Sequence, residues 1–223
     1  MRRMKTLLSA LFAVTAVAFA PFPAALFSAA PANAANCSDA EVIFARGREE
    51  PPGMGRIGDT FFNDLRSLTP RNVTFYAVRY PADTEIVQGA ADMSQRVQYM
   101  ANNCPNTRLI LGGYSLGATV TDFVLGVPSP MYGYSNPLPL GMSDKVAAVV
   151  LFGNVTRKVM GPVSALGPPW GEKTIDLCTD GDPLCNGSQD LGDMMMNWPS
   201  HWQPAYIDSG LVYQAAEFAA SRI

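Results

Sequence analysis

Ser115 stands in Gly113-Tyr114-Ser115-Leu116-Gly117, a G-x-S-x-G pattern whose glycines permit a sharp strand-to-helix turn that pushes a serine hydroxyl out of a sheet. At this chain's glycine and serine frequencies the pattern arises by chance roughly 0.1 times per sequence, so its setting matters. An apolar run, Arg108 to Gly112, precedes it and a helical run follows, as the turn requires. Gly133-Tyr134-Ser135, by contrast, runs into Asn136-Pro137 and reads as loop. A serine hydroxyl becomes a nucleophile when a base removes its proton, and a third group must hold that base in the right tautomer. His201 is the one histidine among 223 residues. It is therefore the only imidazole base available, and its solitude excludes His-rich zinc sites, two-His iron centres and H-E-x-x-H helices.

In the chain order serine, acid, histidine, the acid belongs after the last strand. Cys178-Thr179-Asp180-Gly181-Asp182-Pro183-Leu184-Cys185 offers two acids there, and spacing leaves Asp180 and Asp182 both open. Asp180, Asp182, Asn186 and Asp190 are also oxygen ligands on one loop, but they miss the EF-hand spacing, so calcium is the weaker reading. Neither a metal nor a cofactor is expected.

The elements that position these residues begin after the first 34. Residues 1–34 hold Arg2, Arg3 and Lys5, an apolar run from Leu7 to Ala20, no acid, and a small-x-small end at Ala32-Asn33-Ala34. This is the pattern of a secretory signal peptide removed near Ala34, with Pro21, Pro23 and Pro31 arguing against a membrane span. A secreted or cell-wall-associated protein is expected. With the leader set aside, 189 residues remain at net charge −6, enough for one domain with a full core. An acidic chain lacks the basic surface that nucleic acid requires. All four cysteines, Cys37, Cys104, Cys178 and Cys185, lie in the exported part, where an even count reads as two disulfides. Proximity favours Cys178–Cys185, which leaves Cys37–Cys104.

Short apolar runs alternate with helical periodicity. Glu41 to Ala45, Val73 to Tyr80, Arg108 to Leu111, Val146 to Phe152 and Lys173 to Leu177 have the composition of buried strands. Thr84 to Ala101 places Ile86, Ala90, Met93, Val97 and Met100 on one helical face. Arg56 to Leu68 and Gly117 to Leu125 are shorter helices, and Asp208-Ser209 is expected to cap a last one through Ser221, with Leu211, Val212, Ala215, Phe218 and Ala219 inward. Strands alternating with helices imply a mostly parallel sheet covered on both faces. Two proline-rich stretches, Val127 to Gly141 and Gly161 to Gly171, read as loops. Gly192 to Tyr206 surrounds His201 with Met194, Met195, Met196, Trp198 and Trp202, which either line an acyl-chain groove or pack a long loop.

Ala45-Arg46-Gly47 after the first strand, Gly112-Gly113-Tyr114-Ser115-x-Gly117, the Cys178-x-x-Gly181-Asp182-x-x-Cys185 loop and His201 ahead of Trp202 together resemble the cutinase family, particularly its actinobacterial members. The resemblance covers nearly all of the chain from Cys37 onward. It implies a single α/β-hydrolase domain over residues 35–223, with a five-stranded, mostly parallel sheet, helices on both faces and no large lid. It also implies that Asp182 is the acid partner of Ser115 and His201, and it agrees with the Cys37–Cys104 and Cys178–Cys185 pairing. The expected activity is a secreted serine carboxylesterase acting on short- to medium-chain lipid-like or polymer esters through an acyl-enzyme. The alternatives are thioesters, phospholipids or acetylated polysaccharide on the same residues, or a non-catalytic binding protein of the cell envelope. A monomer in transient contact with a lipid surface is expected. Two positions depart from the family pattern: Arg48 replaces its usual Ser or Thr, and Leu116 its usual Gln. Their backbone N–H groups still suit an oxyanion hole; what is lost is a side-chain donor, worth roughly tenfold to a thousandfold in rate.

Overall fold

The computed structural model describes residues 37–126, 138–139, 141–161, 163, 168–186 and 190–223. The expected signal peptide, the Gly133-Tyr134-Ser135 loop and most of the stretch from Val127 to Gly141 lie outside them.

In chain order the elements are β1 (Ala40–Ala45), α1 (Gly55–Leu68), β2 (Val73–Ala77), α2 (Ile86–Asn103), β3 (Arg108–Tyr114), α3 (Leu116–Gly126), β4 (Val146–Phe152), α4 (Arg157–Met160), α5 (Trp170–Lys173), β5 (Thr174–Leu177), α6 (Leu191–Asn197), α7 (Gln203–Asp208) and α8 (Leu211–Ala220). The five strands form one sheet in the order β2-β1-β3-β4-β5, every pair parallel. A sheet covered on both faces needs apolar residues at nearly every position, which is why the inner strands read as near-continuous runs rather than alternating ones, the buried Glu41 of β1 being paired with Arg96. Ile43, Ala45, Leu109, Leu111, Val149 and Leu151 face one core with α2 and α3. Val42, Phe44, Ile110, Val150 and Phe152 face the other with α1, Tyr206 of α7 and α8. The register shifts where Leu109 pairs with Val146 and Ile110 with Ala148. The extra residue, Ala147, keeps Val146 on the same side as Val149 despite their odd spacing, as a β-bulge does.

Chain order reverses at β1 and β3, so the crevice beyond their carboxyl ends is the position where ligands bind in such sheets. Gly47 and Ser115 both emerge there.

Several expectations are adjusted: β3 runs on to Tyr114 rather than ending at Leu111, and Trp170 and Gly171 belong to α5 rather than to a loop. The second strand ends at Ala77 rather than Tyr80, because its one neighbour, β1, turns away at Arg46; Val78 makes a last bond to Phe44 O at 3.0 Å. The fifth strand starts at Thr174, Lys173 belonging to α5. Asp208 and Ser209 do not cap the last helix. They close α7, and Gly210, at φ +80°, turns the chain into α8. Val212, Ala215 and Ala219 are buried as expected.

Beneath the crevice lies a buried polar group. Asn154, just past β4, donates to Asp122 of α3 at 2.9 Å and to Asp176 of β5 at 3.2 Å, and the Thr156 hydroxyl also faces Asp122. Arg157 stands 3.7 Å from Asp176. Burial pushes the Asp122 carboxyl up to about 6, against the Thr156 and Asn154 donors, and Asp176 adds to the rise. The folded state therefore holds this proton more tightly than the unfolded chain. The resulting stabilisation is complete below pH ~4 and is lost as pH rises through about 6. Asp122→Asn is expected to flatten the stability slope across that window, by roughly 3 kcal/mol at most. Urea unfolding at pH 4.5, 5.5 and 7 measures it.

Candidate active site

The turn that carries Ser115 is shaped by two close approaches. A Cβ on Gly113 would lie 2.1 Å from Gly117 O, and one on Gly117 would lie 1.9 Å from Ala45 O. No side chain fits either place, so the start of α3 can press against β3 and β1 only with glycine at both. Ser115 itself has φ +54°, a strained conformation for a residue with a Cβ. Its backbone N–H donates to Phe152 O at 2.9 Å, tying the turn to the end of β4.

His201 lies in a short 3₁₀ turn, Trp198–His201, and is 5% exposed. Its Nε2 is 2.8 Å from Ser115 Oγ and its Nδ1 is 2.7 Å from Asp182 Oδ2. An ionised carboxylate only accepts, so the imidazole proton belongs on Nδ1 and the Nε2 lone pair faces the serine hydroxyl. The ring is held from several sides. Tyr114 stacks on it at 5.4 Å and donates through its hydroxyl to His201 O. Gly153, at φ +56°, makes room beneath, since a Cβ there would lie 2.9 Å from His201 Cε1.

The structure separates the two candidate acids. Asp180 is exposed, whereas Asp182 is fully buried. Asp182 Oδ2 takes His201 Nδ1 and the Tyr206 hydroxyl, and Oδ1 accepts from Leu184 N at 2.8 Å. Burial alone would raise its carboxyl. Hydrogen bonds from His201 and Tyr206, the imidazole's charge and the Leu184 N–H outweigh it and hold the group below the usual carboxylate range. The supporting loop is closed by Cys178–Cys185 and joined to the histidine turn by the Thr179 hydroxyl, which donates to Ser200 O. The second bridge is Cys37–Cys104. Of the oxygen ligands considered for calcium, Asp182 is turned to His201 and Asp190 accepts from Gly192 and Asp193 at the start of α6.

Leu116 opens α3, so its N–H is among those at a helix start with no acceptor inside the helix. Arg48 follows β1, its side chain exposed. The neighbouring Gly47 N–H goes to Glu50 Oε2 at 2.7 Å and the Glu49 N–H to Ala82 O at 2.7 Å. Met194, Met195, Trp198 and Trp202, with Leu191 and Pro199, line an open apolar cavity of about 440 Å³ beside the histidine turn. Met196 is 73% exposed and stands outside that lining. Met195 is 72% and Trp202 51% exposed, so both present apolar surface to solvent beside that cavity.

Tyr114, Glu50, Gly153 and Tyr206 escaped sequence reasoning. Tyr114 is the variable position of the serine pattern, and the others carry no motif at all.

The model of the Cutinase family matches residues 36–223. The chain is 54% identical over 194 residues to the probable carboxylesterase Culp2 of Mycobacterium tuberculosis, covering 87% of this chain and 83% of that protein. It is 43% identical over 225 residues to phospholipase Culp4 of the same organism, covering 100% of this chain and 92% of the relative. Among solved structures, Trichoderma reesei cutinase in complex with a phosphonate inhibitor is 28% identical with a TM-score of 0.57, over 83% of this chain and 76% of that one. With the parallel five-stranded sheet and Ser115 at its switch point, these matches place the chain in the cutinase family, as an ester hydrolase.

Proposed function

We propose that this protein is a secreted serine carboxylesterase that cleaves short- to medium-chain acyl esters through Ser115, His201 and Asp182. The observation that carries this reading is the continuous relay from Ser115 Oγ through both nitrogens of His201 to Asp182 Oδ2, at 2.8 and 2.7 Å. His201 Nε2 takes the serine proton as Oγ bonds to the ester carbonyl carbon. The carbonyl electron pair moves to oxygen, where the N–H groups of Arg48 and Leu116 stabilise it. Collapse breaks the bond to the alcohol, which leaves with the proton held by His201. Water then repeats the sequence on the acyl-enzyme and frees the acid and Ser115. Asp182 remains ionised throughout, favouring the imidazolium that forms twice per cycle. The leader-like residues 1–34 and two disulfides favour export, since such bridges persist in oxidising compartments.

The apolar cavity beside His201 suits an acyl chain and gives the surface that would touch lipid. A phospholipid is the second reading, favoured by the full-length similarity to a relative named a phospholipase. A p-nitrophenyl ester series from acetate to palmitate tests the groove. Turnover is expected to peak at intermediate length, and Trp198→Ala is expected to lower kcat/KM for octanoate about tenfold more than for acetate, as loss of burial for one or two methylenes would. A flat series, unchanged by the substitution, would remove the groove from the account. Comparing the same series with dioctanoyl phosphatidylcholine separates simple esters from phospholipid.

A further inference from the structure

Glu50 joins several parts of the site and has no part in the proposed reaction. It is half-buried in the loop between β1 and α1. Its Oε2 accepts the Gly47 N–H at 2.7 Å, and its Oε1 accepts the Arg56 N–H at 2.9 Å and Gln203 Nε2 at 3.3 Å. Its own carbonyl accepts from Arg46 Nε at 2.8 Å. The surrounding backbone is fitted to the carboxylate. A Cβ on Gly55 would lie 2.3 Å from Oε2, and one on Gly47 would lie 2.6 Å from the Tyr114 ring and 3.1 Å from Oε2. Three segments therefore meet on one carboxylate: the loop carrying Arg48, the first turn of α1, and the residue two past His201. A fourth, the Tyr114 ring that stacks on His201, closes over Gly47.

Resting on the reading of Arg48 as an oxyanion donor, we infer that Glu50 is a positioning residue that fixes the Gly47–Arg48 peptide, so that the Arg48 N–H faces the same point as the Leu116 N–H. A peptide plane has few ways to turn once the N–H on one side is bonded. Glu50 holds the Gly47 N–H, and the Glu49 N–H is held by Ala82 O. Arg48 lies between these two anchors. The carboxylate is itself held by the positive end of a 14-residue helix, which offers the Arg56 N–H and a favourable dipole. Negative charge develops on the substrate oxygen only as the serine attacks, so a misaligned donor costs rate rather than substrate affinity.

The test compares native protein, Glu50→Ala and Glu50→Gln on p-nitrophenyl butyrate, with thermal midpoints measured alongside. Glutamine retains one acceptor oxygen and places an amide where the other faced a donor, so it is the milder change and serves if alanine does not fold. The expected result is a kcat lowered about a hundredfold in Glu50→Ala and about tenfold in Glu50→Gln, with KM within threefold of native. Folded variants whose kcat stays within twofold would overturn the inference, as would losses confined to KM or proportionate to a fall in thermal midpoint. A native protein with no turnover, or one matched by Ser115→Ala, would bring down the esterase reading and this inference together. Normal native turnover with indifferent Glu50 variants would bring down this inference alone.

Discussion

Ser115→Ala is expected to lower turnover of a p-nitrophenyl ester by about 10⁵- to 10⁶-fold and to abolish labelling by a fluorophosphonate. The size follows from the covalent step: no other hydroxyl is described within reach of His201 Nε2, which is 2.8 Å from Ser115 Oγ. Without the nucleophile, the donors of Arg48 and Leu116 can still polarise a carbonyl for water, which leaves a residual rate. Stability should change little. Alanine has a Cβ like serine and meets the same backbone strain at φ +54°, while the Ser115 N–H to Phe152 O bond persists. Burst kinetics on the native protein, absent in the variant, would report the acyl-enzyme directly. Turnover within tenfold of native in folded Ser115→Ala would defeat the assignment.

Asp182→Asn is expected to lower kcat by about 10³- to 10⁴-fold, for a reason visible in its three partners. His201 Nδ1 and the Tyr206 hydroxyl both meet Oδ2, and the Leu184 N–H meets Oδ1, so all three are arranged for an acceptor-only group. An asparagine offers one acceptor and one donor end. With its oxygen toward His201, its NH₂ confronts the Leu184 N–H in a fully buried site. With its NH₂ toward His201, the imidazole must carry its proton on Nε2, where it cannot receive one from Ser115. Either orientation also removes the charge that favours the imidazolium. Because the native Asp182 carboxyl lies below the usual range, its contribution to stability is present at neutral pH and is lost as pH falls through its folded value. The variant should therefore lose part of the native protein's acid-induced destabilisation. Asp180→Asn is the paired control: its side chain is exposed, and its kcat should remain within twofold.

The legible and illegible parts of this site divide along a physical line. Ser115 was legible because the turn that presents it is made by neighbours in sequence, two glycines whose missing Cβ atoms admit backbone at 2.1 and 1.9 Å. His201 was legible by count. The strands were legible because sheets buried on both faces demand near-continuous apolar runs, although β2 outran its true end, since a strand stops where its neighbour stops. Gly210 was a visible signal for the break between α7 and α8, and reading Asp208-Ser209 as a cap passed over it.

The sequence by itself determined the fold class, a serine on a strand-to-helix turn, a single imidazole and a short loop holding two candidate acids. Periodicity, turn chemistry and residue counts are properties of neighbours along the chain. Tertiary structure decided that Asp182 rather than Asp180 meets His201, because that choice depends on which carboxylate is buried against Tyr206 and Leu184. It also decided that the methionine and tryptophan stretch stands open to solvent, and that Glu50 joins the loop after β1 to a residue 153 positions away. Burial and hydrogen-bond partnership are set by segments far apart in sequence, and they exist only once the sheet has brought those segments to one edge.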